Sequence, residues 1–271
     1  MHRAERMETI VFSHANGFPA GTYRVLFERW QAAGYSVQAV EKFGHDPRYP
    51  VTSNWPRLRD QLIDFIDTKV AGPAFLVGHS LGGLLSLLAA CRRPDLALGL
   101  VMLDSPVISG WRAQGVRLVK ATGLMPRVSP GKISRRRRHE WPSAQAALEH
   151  YAGKANFACW DPRVLRDYIA CGIETVGGKA RLAFHREIET RIYNTLPHHL
   201  SSLMRRHPPA CPVTIIAGTK SKEIRQGGLE ASRAAAGERF TWMEGSHLYP
   251  MEKPEQTADE VLRLIGTMRR A

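Results

Sequence analysis

Short, nearly continuous apolar runs alternate along this chain with longer stretches whose apolar residues recur every three or four positions. Thr9 to Ser13 (TIVFS) is the first such run. The break at His14-Ala15-Asn16-Gly17 ends it, and Thr22 to Ala33 then has helical spacing. The same alternation predicts strands at Tyr35 to Val40, Ala74 to Val77 and Leu98 to Leu103. Helices are predicted at Pro56 to Val70, through Leu58, Leu62, Phe65 and Ile66, and at Leu81 to Cys91. Strands that are apolar on both faces, each followed by a helix, predict a mostly parallel sheet covered on both sides.

The rhythm breaks between Ser109 and Pro209, a stretch rich in Arg, His and aromatic residues whose predicted elements are all helical. It resumes with a strand at Val213 to Ala217, a helix at Gly228 to Ala236, a strand at Arg239 to Met243 and a helix at Glu255 to Met268. The expected organisation is an α/β core made of residues 1–108 and 210–271, with residues 109–209 inserted as a helical segment. The core should hold a sheet of about six strands flanked by helices. There is no internal repeat.

Composition narrows this picture without redirecting it. With 271 residues, 44% hydrophobic and 23% charged, the chain suits one large core with an insertion rather than a disordered or fibrous protein. No run approaches the roughly 18 apolar residues of a membrane span, and the opening MHRAERMETIVF lacks the apolar core of a signal peptide. A soluble, cytoplasmic protein is expected. Cys91, Cys159, Cys171 and Cys211 are far apart and share no metal-ligand spacing, so free thiols are expected and neither a metal nor a cofactor is implied.

A formal charge of +13 draws anions toward the surface. Its sharpest expression is Lys132 to His139 (KISRRRRH), where Arg135 to Arg138 either form a solvated face or attract an anionic substrate. Nothing in the core resembles a nucleic-acid recognition module.

Gly78-His79-Ser80-Leu81-Gly82 fits G-x-S-x-G and lies between the strand AFLV and the helix LGGLLSLLAAC. That context matters more than the motif, because a serine on a tight strand-to-helix turn leaves no room for side chains two positions on either side. The helix N-terminus beyond it presents unpaired N–H groups to an anion.

With GHSLGG, the early IVFSHANGF and the late GSHLYPMEKP before a final helix, the sequence resembles the α/β-hydrolase superfamily. The resemblance implies that Ser80 is a nucleophile, that His247 is its general base, and that the inserted segment is the helical cap that shapes the substrate pocket. It also implies that the first strands of the family's usual core are reduced here. His14 matches the histidine of the family's HG loop, normally a structural residue. Around an oxyanion the family's geometry places the Leu81 N–H and a donor from the His14 to Phe18 loop, with Asn16 the first choice and Phe18 the alternative.

The acid is where the sequence departs from the family. An acidic residue is expected a few positions after VTIIAG, but Gly218 is followed by Thr219, Lys220 and Ser221. Asp104, at the end of the strand within VMLDSP, is the favoured replacement because it keeps the chain order Ser, acid, His, and Glu223 is the alternative. The implied activity is hydrolysis of a small acyl compound, with an anionic one in view because of the arginine run. C–C bond hydrolysis, acyl transfer to another acceptor, and a non-catalytic ligand- or partner-binding role are the competing readings.

Overall fold

In a computed structural model that describes residues 7–270, six parallel strands form one sheet. They are β1 (Thr9–Ser13), β2 (Ser36–Ala39), β3 (Ala74–His79), β4 (Ala97–Leu103), β8 (Val213–Gly218) and β9 (Phe240–Met243), with β5 to β7 lying in the segment between β4 and β8. The spatial order is β2-β1-β3-β4-β8-β9, so β4 and β8, the strands that precede and follow the inserted segment, are neighbours in the sheet. Every residue of β3 and β8 is buried, whereas the edge strands β2 and β9 are half-buried throughout. This is why the central strands read as unbroken apolar runs.

Alternate residues of each strand serve opposite layers. Val11, Leu76, Leu100 and Ile215 point into one core, shared with the helices Pro56–Lys69 and Leu81–Arg92. Ile10, Phe12, Val77, Val101 and Ile216 point into the other, shared with the helices Arg24–Ala32 and Pro254–Met268. The strand period of two thus divides the sheet between two helical layers. The helix Leu81–Arg92 is buried on nearly all sides, matching its all-apolar sequence.

Residues 110–206 contain helices, as expected, but not helices alone. Glu140–Trp141 (β5), Ile173–Val176 (β6) and Lys179–Leu182 (β7) form a small antiparallel sheet in the order β5-β7-β6. Gly177 and Gly178 join β6 to β7, both at positive φ (58° and 76°). A two-residue loop with positive φ at both positions is the turn that matches the twist of a hairpin, and only glycine takes it without strain. A second departure is the short helix Lys222–Gly227, capped by Ser221, which precedes the expected helix Leu229–Ala236. No helix among the described residues is long and apolar enough to cross a membrane.

Candidate active site

The C-terminal ends of β3, β4 and β8 deliver the candidate residues to one place. Ser80 follows β3 directly and has φ 52° and ψ −112°, a conformation that non-glycine residues adopt only under constraint. Its N–H is held by the Leu103 carbonyl at 2.9 Å, and its carbonyl accepts from Leu84 N–H. The flanking glycines are needed for the expected steric reason. A Cβ on Gly78 would sit 2.3 Å from the Gly82 backbone, and one on Gly82 would sit 1.9 Å from the Ser13 carbonyl oxygen. The turn can close only because both lack a side chain.

Asp104 follows β4 in the same way, with positive φ (44°) and its N–H bonded to the Ile216 carbonyl at 2.8 Å. Its carboxylate is fully buried and accepts three hydrogen bonds. Gly218 N–H donates to Oδ1 at 2.6 Å, Ser221 Oγ to Oδ2 at 2.5 Å, and His247 Nδ1 to Oδ2 at 2.6 Å. Nε2 of His247 lies 3.0 Å from Ser80 Oγ. Ser80, His247 and Asp104 therefore form one continuous hydrogen-bonded line. Ser221, at the position where an acid was expected, donates to the acid on the neighbouring strand while also capping the Ile224 N–H. Glu223 touches this line only through Ser221, at 3.4 Å, and makes no hydrogen bond to His247.

Burial alone would lower the pKa of the His247 imidazole. The hydrogen bond to Asp104 and the charges of Asp104 and Glu223 outweigh it, and the net shift is upward. Asp104, Glu223 and His247 are also the one cluster among the described residues with three metal-type ligand atoms close together. The 2.6 Å between Oδ2 and Nδ1 accommodates a shared proton and leaves no room for a cation between them.

Among the described residues the N–H groups of Leu81, in the first turn of its helix, and of Asn16 have no acceptor. Phe18 N–H, the alternative, is committed to the Ala15 carbonyl at 3.1 Å. The Asn16 side chain donates from Nδ2 to the Glu189 carbonyl at 3.0 Å. The backbone N–H of Asn16 is left without an acceptor among the described residues.

His14 is buried, with Nδ1 at 2.8 Å from the Ala15 carbonyl and Nε2 accepting from Phe43 N–H at 2.9 Å. Burial lowers its pKa to about 4, which keeps it neutral and fits the structural role expected of it. His79, to which the sequence analysis gives no role beyond its place in the motif, is a further contributor. Its Nε2 lies 2.9 Å from the His247 carbonyl, which can only accept, so Nδ1 receives the Tyr23 hydroxyl at 2.7 Å. Tyr23 Oη in turn accepts from Ala15 N–H at 3.2 Å. Burial, with the neighbouring His247 ring, holds the His79 pKa well below its ordinary value. This neutral chain ties the Ala15 loop, the serine turn and the His247 loop together. The motif position between Gly78 and Ser80 was the only signal for it.

Two cavities meet at this line, and both are bounded by Asn16, Ser80, Tyr193, Glu223 and His247. One, of about 680 Å³, is walled mainly by apolar side chains including Leu84, Ile108, Val116, Val119, Met125 and Ile192. The other, of about 480 Å³, is more polar and is bordered by Asn156, Lys220, Lys222, Ser246 and Glu252. None of Arg135 to Arg138 borders either cavity. Arg137 is turned inward, donating to Glu189 at 2.7 Å and to the Tyr151 and Tyr168 hydroxyls at 2.9 and 2.8 Å.

The sequence profile of the alpha/beta hydrolase family matches residues 10–260. Monoglyceride lipase of Rattus norvegicus is 27% identical over 135 residues, 46% of this chain and 45% of that protein. A monoglyceride lipase homolog of monkeypox virus is 27% identical over 134 residues, 46% of this chain and 48% of that protein. Each match thus spans less than half the relative's length. Among solved structures, E-2-(acetamidomethylene)succinate hydrolase superposes with a TM-score of 0.77 at 21% identity, covering 96% of this chain and 92% of that one. The thioesterase domain from the curacin biosynthetic pathway superposes with a TM-score of 0.73 at 18% identity, covering 95% and 91%. These likenesses agree on the fold, and the profile match over most of the chain establishes that it belongs to the alpha/beta hydrolase family.

Proposed function

We propose that the protein hydrolyses a carboxylic ester or a related acyl compound through an acyl-Ser80 intermediate. The observation that carries this reading is the hydrogen-bonded line Ser80–His247–Asp104, at 3.0 and 2.6 Å, where two cavities meet. His247 Nε2 takes the hydroxyl proton as Ser80 Oγ attacks the acyl carbon. The carbonyl electron pair moves onto oxygen, where the Leu81 and Asn16 N–H groups receive it. Asp104 keeps the proton on Nδ1 and stabilises the imidazolium. As the carbonyl re-forms, the alcohol leaves with the proton from Nε2. Water, deprotonated by the same nitrogen, then releases the acid and restores Ser80.

In this reading the apolar cavity takes the acyl chain and the polar one takes the leaving group and water. Residues 109–209 act as the cap, since Val116, Val119, Met125 and Ile192 from that segment wall the acyl side. The lipase and thioesterase names of its relatives support acyl hydrolysis as the class of reaction. Ser221, which stands where the family's acid is expected, donates to Asp104 and so supports the catalytic reading over a non-catalytic binding role.

A fluorophosphonate probe tests the proposal directly. Wild-type protein should be labelled on Ser80, identified by mass spectrometry of the modified peptide, and folded Ser80→Ala should stay unlabelled. Folded wild type that resists labelling would overturn the assignment.

A further inference from the structure

We propose that residues 110–138 form a docking surface for an anionic lipid interface, set on the outer side of the wall that encloses the apolar cavity.

Three observations converge on this segment. The first is apolar exposure. The helix Gly110–Ala121 buries only Ala113, and its outward face carries Trp111 and Leu118, 73% and 64% exposed. Val128 and Ile133, on the turns that follow, are 66% and 76% exposed. Most of the large hydrophobic side chains left in water among the described residues lie here, a concentration that marks an interaction surface.

The second is charge. Residues 109–139 contain seven arginines, two lysines and no acidic residue. Three of these cations are spoken for: Arg137 by Glu189, Lys120 by Asn54 Oδ1 and the Leu196 carbonyl, and Arg138 by the Glu140 carbonyl. Arg112, Arg117, Arg127, Lys132, Arg135 and Arg136 make no ion pair within the described residues. Arg112 lies over the Trp111 ring at 4.7 Å, so cation and aromatic ring share one patch.

The third is position. Trp111, Arg112 and Val128 border the apolar cavity while also facing outward, and Val116 and Val119 of the same helix form its inner wall. A surface bound there lies directly over the cavity that reaches Ser80.

Aliphatic and indole side chains interleaved with unpaired arginines and Lys132 match a membrane interface carrying anionic headgroups. The apolar groups enter the headgroup boundary and the cations meet the phosphates. A nucleic acid would satisfy the charges and leave the apolar side chains in water, and an uncharged protein surface would do the reverse. An acidic protein partner satisfies both, and it is the competing occupant that the experiment must distinguish.

The test is sedimentation of the full chain with vesicles of phosphatidylcholine alone or with roughly a third phosphatidylglycerol, at low and high salt. Neither arm requires turnover, so the outcome is independent of the hydrolytic reading. Binding should appear on the anionic vesicles, weaken by at least about tenfold on the neutral ones, and weaken in salt. Arg127→Glu/Lys132→Glu/Arg136→Glu should abolish it. Leu118→Ser/Ile133→Ser should reduce it and leave the remainder fully salt-sensitive. Circular dichroism and thermal denaturation would verify that both variants stay folded. Equal partitioning onto both vesicle types, binding that survives charge reversal, or capture by a purified acidic protein without vesicle binding would overturn the proposal.

Discussion

Asp104 illustrates how three hydrogen bonds can define the task of one carboxylate. Gly218 N–H takes Oδ1, and Ser221 and His247 share Oδ2. In Asp104→Asn the amide oxygen should remain on Gly218, which turns Nδ2 toward His247. That amide would donate to Nδ1, push the imidazole proton onto Nε2, and leave no lone pair for the Ser80 hydroxyl. A fall in kcat of about 10³ to 10⁴ is expected with little change in thermal stability. Glu223→Gln removes only a nearby charge and should cost less than about tenfold. The pH dependence carries the same signs. The Asp104 bond and the two carboxylate charges raise the His247 pKa, so kcat/KM should rise with pH through a midpoint above 6.5. Glu223→Gln should move that midpoint downward. An unchanged midpoint with a large loss in kcat would instead make Glu223 a contributor to the reaction.

At this scale the sequence was informative where a residue type is irreplaceable. Ser80 was legible from its glycines and His247 from its loop, while Asp104 stood out only because the usual acid position was filled by Ser221. The choice between Asn16 and Phe18 depended on which N–H finds an internal acceptor, a matter of loop conformation that no residue identity encodes. His79 was missed because a histidine inside a motif looks interchangeable until its two partners are seen.

The elements were readable from periodicity wherever burial is two-sided, and less so where it is not. All six parallel strands follow from apolar runs. In the inserted segment, IETV and KARL are short, mostly exposed strands with too few apolar residues to break the helical expectation. Their signal was the Gly177-Gly178 pair between them. The arginine run was equally misleading, because four identical side chains have different fates. Arg137 is inside, on Glu189, while Arg135 and Arg136 remain in water. Glu189 holds Asn16 by its carbonyl, and its carboxylate lies 3.1 Å from where a Cβ on Gly17 would be. The helix Arg186–Asn194 and Arg137 thus brace the loop that presents the Asn16 N–H. Arg137→Met leaves the Glu189 carboxylate buried without its partner, a change that typically costs about 3–5 kcal/mol. Thermal denaturation should show a clear loss of stability. In the protein that remains folded, kcat should fall with KM nearly constant, and the midpoint of the pH profile should stay where it was. Loss of stability with wild-type kcat would confine this ion pair to a folding role.

Across the whole molecule, the proposed division of the substrate sets the acyl chain against side chains that come largely from the inserted segment and the leaving group against the loops after β8 and beside His247. The apolar cavity is bounded by Val116, Val119 and Met125, whereas the polar one reaches Lys220 and Lys222 after β8 and Ser246 beside the base. A change in one wall should therefore alter one half of specificity. Val119→Trp inserts a large ring into the apolar side, on a helix that buries little else and can take the ring without repacking the core. Against esters of one alcohol, kcat/KM for long acyl chains should drop by more than about tenfold. The acetate ester should stay within about threefold, because the line Ser80–His247–Asp104 is untouched. Lys222→Ala should leave that chain-length series unaltered and act only when the alcohol half is varied. If Val119→Trp slowed acetate and long-chain esters alike, the acyl group would not enter by the apolar cavity. If the long-chain preference moved instead with Lys222→Ala, the roles of the two cavities would be reversed.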